Sequence, residues 1–135
     1  MKIFISKLFI WFDKGIKPRV ITFENNRVNV ITGSSSTGKS NIYAIIDYCL
    51  LSGRPNIVFP VINENARWYG LEFNVGDKFF AIARKRPTVD VVPPELYLQY
   101  EPFPEPFYPT SCNSHVNDAR RELDRAFGYK SNKEL

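Results

Sequence analysis

The sequence predicts an α/β fold, and three observations lead to this prediction. Residues 2–12 and 20–23 are short apolar segments typical of strands, and Asn25-Asn26 predicts a tight turn into a third, buried strand at residues 28–32. A turn rich in glycine and serine follows, and residues 41–51 then show helical periodicity. The predicted strands at residues 2–12 and 20–23 form an antiparallel pair ahead of the strand that leads into this turn. The chain therefore differs from a Rossmann-type start, in which the glycine-rich loop follows the first strand.

The predicted helix has one apolar face. Its apolar residues recur at the spacing i, i+3, i+4, i+7 and i+8, and they should pack on the sheet: Ile42, Ile45, Ile46, Cys49 and Leu50. Asp47 lies outside this face, and we expect it to contact a neighbouring loop. Gly53 suits a left-handed cap after the helix, and Pro55 prevents the helix from continuing.

A β-hairpin is predicted in the middle of the chain. Residues 68–75 and 78–84 are strand-like segments that flank Gly76-Asp77, a typical hairpin turn. Residues 96–100 predict a further strand between proline-rich loops. These segments should add antiparallel strands to the sheet.

The last part of the chain predicts an extended segment and a helix. Residues 101–109 carry four prolines with aromatic residues between them, which predicts an extended segment on the surface. Residues 114–127 have an amphipathic pattern that predicts a second helix, closed by Gly128.

A sequence motif occupies the turn between the buried strand and the first helix. Eight consecutive residues fit the pattern G-x-x-x-x-G-K-[ST] of a phosphate-binding loop, the Walker A motif: Gly33, Ser34, Ser35, Ser36, Thr37, Gly38, Lys39 and Ser40. A position between a strand and a helix is the setting that this motif needs. A chance turn of serines and glycines is the alternative, and both flanking elements argue against it.

Each residue type of the motif has a chemical reason. Glycines let the main chain come close enough for backbone N–H groups to surround phosphate groups. The helix that begins at the loop directs its free N–H groups and positive dipole end at the same phosphates. Lys39 can reach the β- and γ-phosphates, and the Ser40 hydroxyl can ligate Mg²⁺. We therefore expect ATP and Mg²⁺ to bind at residues 33–40 and the adjoining Asn41.

Length and composition limit the other possibilities. At 135 residues the chain can form one domain with a core, and its net charge of +4 permits contact with nucleic acid without requiring it. The basic cluster Arg84-Lys85-Arg86 is interpreted as a solvated strand end rather than a phosphate contact. Since no apolar run approaches the ~20 residues of a membrane span and no signal peptide is recognised, we expect a cytoplasmic protein without membrane contact.

Cysteine and histidine are scarce. Cys49, Cys112 and His115 have no metal-ligand spacing, which argues against a zinc site. Cys49 lies on the apolar face of the predicted helix, so we expect it to be a small core residue.

Three runs in the N-terminal part of the chain, up to Leu50, carry a family resemblance: Leu8-Phe9-Ile10-Trp11-Phe12, Ile21-Thr22-Phe23-Glu24 and Gly38-Lys39-Ser40-Asn41-Ile42. They resemble the N-terminal ATPase lobe of the SMC proteins and their double-strand-break-repair relatives, within the ABC ATPase superfamily of P-loop NTPases. The resemblance implies an ABC/SMC-like lobe with an antiparallel β subsheet. It also implies binding of ATP and Mg²⁺ at residues 33–40, in a protein that acts on DNA in repair, chromosome maintenance or phage defence.

The sequence departs from the family pattern. Related loops usually carry Asn-Gly where this chain has Ser35-Ser36. The family also requires a glutamine loop, a coiled coil, a signature motif, a Walker B strand with a catalytic Glu, and a switch histidine, and none is recognised here. Gln99 is interpreted as a strand residue, and His115 is not assigned as the switch. We therefore expect one partial domain over residues 1–135, the front part of a longer protein: strands, loop and helix (1–53), hairpin and strand (54–101), proline-rich segment and helix (102–135).

The leading hypothesis is therefore a nucleotide-binding portion of an SMC-like ATPase. It should bind ATP, whereas hydrolysis is expected only of the complete protein, with a second ATPase head or another protein as partner and DNA contacted through the whole assembly. The alternative is a non-catalytic or regulatory module that pairs with a separately encoded ATPase half. Another small P-loop NTPase is a further alternative, and the two strands before the motif argue against it.

Overall fold

The structure, a computed structural model, describes residues 3–23, 36–51, 65–88 and 91–128. Within these residues, six antiparallel strands form one sheet in the order β2-β1-β3-β4-β5-β6: β1 (Ile3–Trp11), β2 (Arg19–Thr22), β3 (Trp68–Val75), β4 (Lys78–Lys85), β5 (Glu95–Gln99) and β6 (Ser114–His115). The helices whose full range lies in the described part of the chain are α1 (Ser36–Cys49) and α2 (Val116–Phe127), and both accompany the sheet. The predicted α/β class with an antiparallel sheet is confirmed.

Most of the predicted strands lie where the sequence places them. The first two predicted strands form the antiparallel pair β1 and β2, in which Lys7 lies opposite Thr22. The predicted hairpin is β3 and β4, joined at Gly76-Asp77 with Val75 opposite Lys78. The predicted strand at residues 28–32, the Asn25-Asn26 turn and the Gly53 cap lie outside the described residues.

An irregularity in β1 changes the direction of its side chains. The register of β1 against β3 shifts between Ile5 and Lys7. Side chains normally alternate between the two faces of a sheet, and such a shift interrupts the alternation. As a result Ile5 and Leu8 contribute to one core cluster, whereas Phe9 and Trp11 contribute to the other.

One face of the sheet, called the helix face, packs against α1 and α2. Alternate residues of the central strands are fully or almost fully buried there together with residues of both helices: Tyr69, Leu71, Phe73, Phe80, Ile82, Leu96, Ile45, Cys49, Ala119 and Leu123. Burial of this apolar surface is the main stabilising contribution to the fold. The face also fixes α1, which carries part of the predicted site.

The opposite face, called the strap face, is covered by residues 101–112, the aromatic strap. Phe103 is 6% exposed and packs with Phe9 and Trp11, with ring centroids 5.3 and 5.6 Å apart. The indole Nε1–H of Trp11 donates to the Phe107 carbonyl oxygen at 3.0 Å. The prediction of a surface segment was therefore wrong for Phe103, which belongs to a second apolar cluster, whereas Phe107 and Tyr108 are half-buried and pack against that cluster.

Glu72 of β3 connects the aromatic strap to the sheet by a hydrogen bond. Its side chain is buried, with the residue 4% exposed, and its Oε2 accepts a hydrogen bond from the Phe103 backbone N–H at 2.8 Å. Burial raises the pKa of Glu72 above its ordinary 4.5, and the Phe103 N–H and the charge of Lys7 oppose this increase. Glu105 acts in the same direction as burial. Glu72 therefore holds its proton more tightly in the folded chain than in the unfolded one.

Glu72→Gln is expected to change how stability depends on pH. Because the folded pKa is raised, the contribution of Glu72 to the free energy of unfolding is fully present below pH 4.5 and declines as pH rises through the folded pKa. Glutamine keeps an acceptor for Phe103 but carries no charge, so the variant should gain stability relative to wild type as pH approaches neutrality. Urea denaturation across this range measures the difference. Glu101→Gln, an exposed carboxylate of the strap, is the matched control, and a difference that does not vary with pH would contradict the prediction.

The second helix begins later than predicted. Ser114 and His115 form β6 against β5, and α2 begins at Val116. The His115 side chain accepts a hydrogen bond from the Asn117 backbone N–H at 3.1 Å and so acts as the N-cap. The predicted closure at Gly128 is confirmed, since this residue has a φ of 86° and its N–H donates to helix carbonyls.

Candidate functional site

The predicted site is divided between described and undescribed residues. Gly33, Ser34 and Ser35 lie outside the described residues. The remaining predicted site residues form the backbone of the beginning of α1: Ser36, Thr37, Gly38, Lys39, Ser40 and Asn41. The structure thus brings the second half of the motif together on one helix.

The start of α1 differs from the prediction. The sequence placed the first helical residue at Asn41, after the motif, whereas the helix begins at Ser36, inside it. The amphipathic pattern starts only at Ile42, because residues 36–41 include no large apolar side chain, so the pattern gave no signal for the first turns. The helix boundary was wrong for this physical reason.

The position of this helix start has a chemical consequence. The first four N–H groups of an α-helix have no partner within the helix, and here they belong to motif residues. The first turn of α1 also contains no acidic residue that would neutralise the positive end of the helix dipole. Such an end favours an anion, and phosphate groups are a common example.

The middle of α1 packs on the sheet as predicted. Ile45, Ile46 and Cys49 are buried in the core of the helix face, and Ile42 and Leu50 pack against it from its margin. The exposed side chain of Asp47 lies outside the apolar face, as predicted. The sequence therefore identified correctly which side of α1 meets the sheet.

The C-terminal end of α1 is held by residues that the sequence analysis missed. Arg84 of β4 donates from Nη1 to the Tyr48 carbonyl oxygen at 2.9 Å, and Arg120 of α2 donates from Nη2 to the Leu51 carbonyl oxygen at 2.9 Å. The Tyr48 hydroxyl donates in turn to the Lys85 carbonyl oxygen at 2.6 Å. Since the last turn of α1 contains no basic residue, these arginines bring positive charge to the negative end of its dipole.

Arg84 itself contradicts the prediction of a solvated strand end. The residue is 2% exposed, its guanidinium carbon lies 4.0 Å from the centroid of the Tyr48 ring, and its Nη2 donates to the Pro93 carbonyl oxygen at 3.0 Å. Burial lowers the pKa of Arg84, and burial raises the pKa of Tyr48 to about 12. The alternation of β4 could have identified this residue, because Phe80 and Ile82 face the helices and Arg84 continues their series.

Cys49 and Gln99, which the sequence singled out, have structural roles. Cys49 is fully buried, and burial raises the pKa of its thiol to about 12, so it is a core residue as predicted. Gln99 ends β5, and its Nε2 donates to the carbonyl oxygens of Glu101 and Pro102. In the described ranges no group of three or more His, Cys, Asp or Glu residues could hold a metal ion.

Two further findings concern membrane spans and similarity to known proteins. No helix among the described residues is long and apolar enough to cross a membrane. Neither a protein-family model, nor a curated protein, nor a solved structure matches the sequence or the fold. Any assignment of function therefore rests on the chain's own residues.

Proposed function

We propose that this chain binds ATP and Mg²⁺ through residues 33–40, as the N-terminal part of an SMC-like ATPase that acts on DNA. The observation that carries the proposal is the start of α1 at Ser36, inside a complete G-x-x-x-x-G-K-[ST] motif. This start gives the free N–H groups of the first turn to the residues that a phosphate-binding loop uses. In this proposal Lys39 contacts the β- and γ-phosphates, and Ser40 ligates Mg²⁺.

The packing of α1 supports the proposal because a phosphate site needs a fixed helix. The helix is buried along its apolar face, and Arg84 and Arg120 hold its far end by hydrogen bonds of 2.9 Å. A helix that is restrained in its middle and at its C-terminal end limits the positions that its N-terminal N–H groups can take. Binding then requires little reorganisation of the protein.

We also propose the P-loop NTPase fold, with the antiparallel sheet as the β subsheet of an ABC/SMC-like lobe. The pair of β1 and β2 ahead of α1, and the packing of α1 on the same sheet, support this assignment. Hydrolysis would need a base and a switch residue from a second ATPase head or from another part of the protein. Gln99 and His115 are both engaged in local hydrogen bonds, which agrees with leaving them out of the site.

Lys39→Ala is expected to weaken ATP binding at least tenfold, because the variant loses the charge that would contact the β- and γ-phosphates; tenfold corresponds to about 1.4 kcal/mol. Titration with a fluorescent ATP analogue, with and without Mg²⁺, measures the affinity. Lys85→Ala removes an exposed lysine of β4 and serves as the matched control.

Ser40→Ala should reduce the dependence of ATP affinity on Mg²⁺ while leaving ATP binding without the metal nearly unchanged.

One outcome would contradict the proposed site, and another would contradict the proposed need for a second ATPase head or another part of the protein. Equal affinity of wild type and Lys39→Ala would remove the Walker A assignment. Rapid ATP turnover by the 135-residue chain that disappears in Lys39→Ala would agree with the site. It would show, however, that hydrolysis needs neither a second ATPase head nor another part of the protein.

A further inference from the structure

An open apolar groove of about 440 Å³ lies on the strap face, between the aromatic strap and the β1–β2 hairpin. Its floor is lined by Phe9 and Trp11, which are only 7% and 1% exposed, so most of the accessible apolar surface belongs to the walls. The apolar residues of the walls come from separate parts of the chain: Pro18 and Val20 on one side, Pro106 and Phe107 on the other. The groove is on the opposite face of the sheet from α1. It is therefore separate from the proposed nucleotide site and does not depend on that proposal.

The floor and one wall of the groove are rigid. The rings of Phe9 and Trp11 are stacked, with centroids 5.0 Å apart and planes within 3°. Phe107 stacks on the buried Phe103 at 4.7 Å, and its carbonyl oxygen accepts the Trp11 indole N–H. A groove held by these contacts exists before any ligand arrives, so binding would carry little cost of ordering the protein.

Apolar surface continues outward from the groove. Val20 is 41% exposed, and Ile16, in the preceding loop, is 54% exposed. Large apolar side chains that are exposed next to a preformed groove are typical of a binding surface for another protein, since covering them removes apolar area from water.

The charges around the groove indicate the kind of partner. Lys14, Lys17 and Arg19 are exposed on the hairpin side, and Lys17 itself lines the groove. The nearby Asp13 is paired with Arg67 at 2.7 Å, so it neutralises little of this positive charge. Glu105 lines the strap side. The hairpin side thus suits acidic groups, whereas the strap side repels them.

We propose that this groove binds an extended peptide segment of a partner protein, in which an aromatic or aliphatic anchor is flanked by Asp or Glu. The anchor lies between the two walls, where it contacts Val20 and Phe107, and the acidic residues lie along Lys17 and its basic neighbours. A nucleic acid fits the groove less well because its regularly spaced phosphates would meet Glu105 as well as the lysines. A peptide can place its acidic residues on the hairpin side alone.

Selection of a random peptide library displayed on phage against the full chain tests this proposal. The expected result is enrichment of sequences that combine an aromatic or aliphatic residue with neighbouring Asp or Glu. A synthetic peptide of the enriched sequence, titrated by fluorescence anisotropy, should lose about tenfold in affinity with Val20→Glu and with Lys17→Glu, and should bind more weakly as salt rises. Val91→Glu is the matched control, since Val91 is 56% exposed and lies away from the groove lining.

Several results would overturn the proposal. These are a selection without enrichment, enriched peptides that lack acidic residues, and equal affinity for wild type and Val20→Glu. Lys17→Glu changes an exposed loop residue, so it keeps the test valid if Val20→Glu fails to fold. Because the groove and α1 lie on opposite faces, Lys39→Ala should leave peptide binding unchanged, which separates this result from that for the nucleotide site.

Discussion

Gly70→Ala is expected to lower the free energy of unfolding by about 3 kcal/mol, the upper part of the usual range for overpacking a core. An added Cβ at this position would lie 2.4 Å from Cζ3 and 2.5 Å from Cη2 of Trp11, and 3.1 Å from the Ile82 carbonyl oxygen. Trp11 has little room to move, because its ring stacks on Phe9 and its Nε1 is hydrogen-bonded to the strap. Even a single methyl group therefore displaces the tryptophan or separates the strands.

A double-mutant cycle with Trp11→Phe identifies the cause of this effect. The smaller ring removes the two contacting atoms, so Gly70→Ala should cost less than about 1 kcal/mol in the Trp11→Phe background. Urea denaturation of the four proteins gives the coupling energy. An equal cost in both backgrounds would show that the indole is not the obstacle, and a neutral effect in the wild-type background would contradict the prediction outright.

The role of Gly70 also illustrates the limit of the sequence-based predictions. The hairpin of β3 and β4 could be predicted because Gly76-Asp77 is a local signal and the flanking segments have strand composition. A glycine inside a strand indicates a close approach of some other group, but it does not identify that group. Trp11 comes from a distant part of the chain, so only the strand order could reveal the contact.

Other predictions also succeeded or failed according to whether the signal was local in the sequence. The buried side of α1 and the closure of α2 at Gly128 were predicted correctly because both depend on residues within a few positions of one another. The burial of Phe103 was missed, since proline spacing predicts an extended chain without specifying its neighbours. The groove was missed for the same reason, because Val20 and Pro106 line the same groove only in the folded chain.

The candidate site is intermediate between these cases. The motif is a contiguous pattern, so residues 33–40 could be selected from the sequence alone, and their nucleotide ligand remains a prediction. The support of α1 by Arg84 and Arg120 is not contiguous and was missed. For Arg84 the signal was present in the alternation of β4, but the neighbouring Lys85 and Arg86 favoured the interpretation of a solvated basic cluster.

Arg84→Met is expected to lower the free energy of unfolding by about 3 kcal/mol. Methionine fills part of the same space, but the carbonyl oxygens of Tyr48 and Pro93 lose their donors. In the wild-type chain these donors are the guanidinium nitrogens Nη1 and Nη2, at 2.9 and 3.0 Å. A hydrogen bond from a charged donor contributes about 1.5–3 kcal/mol, so two such bonds contribute about 3–6 kcal/mol, of which the opposing cost of burial leaves about 3 kcal/mol. The cost of burying the guanidinium opposes them, as its lowered pKa indicates, and Nε has no partner among the described residues.

Arg120→Met is the matched control for this comparison of hydrogen bonding with burial cost. Arg120 is exposed and reaches the same end of α1 with one hydrogen bond, to the Leu51 carbonyl oxygen. Arg120→Met should cost only about 1 kcal/mol. Urea denaturation compares the two variants, and an Arg84→Met protein as stable as wild type would mean that desolvation of the guanidinium outweighs its hydrogen bonds.

Arg84→Met should also weaken ATP binding under conditions where the variant is fully folded. The reason is that α1 carries the motif at its N-terminal end, and the variant holds the C-terminal end of this helix less firmly. A loss of stability with unchanged affinity would show that the sheet alone is sufficient to hold the motif in place.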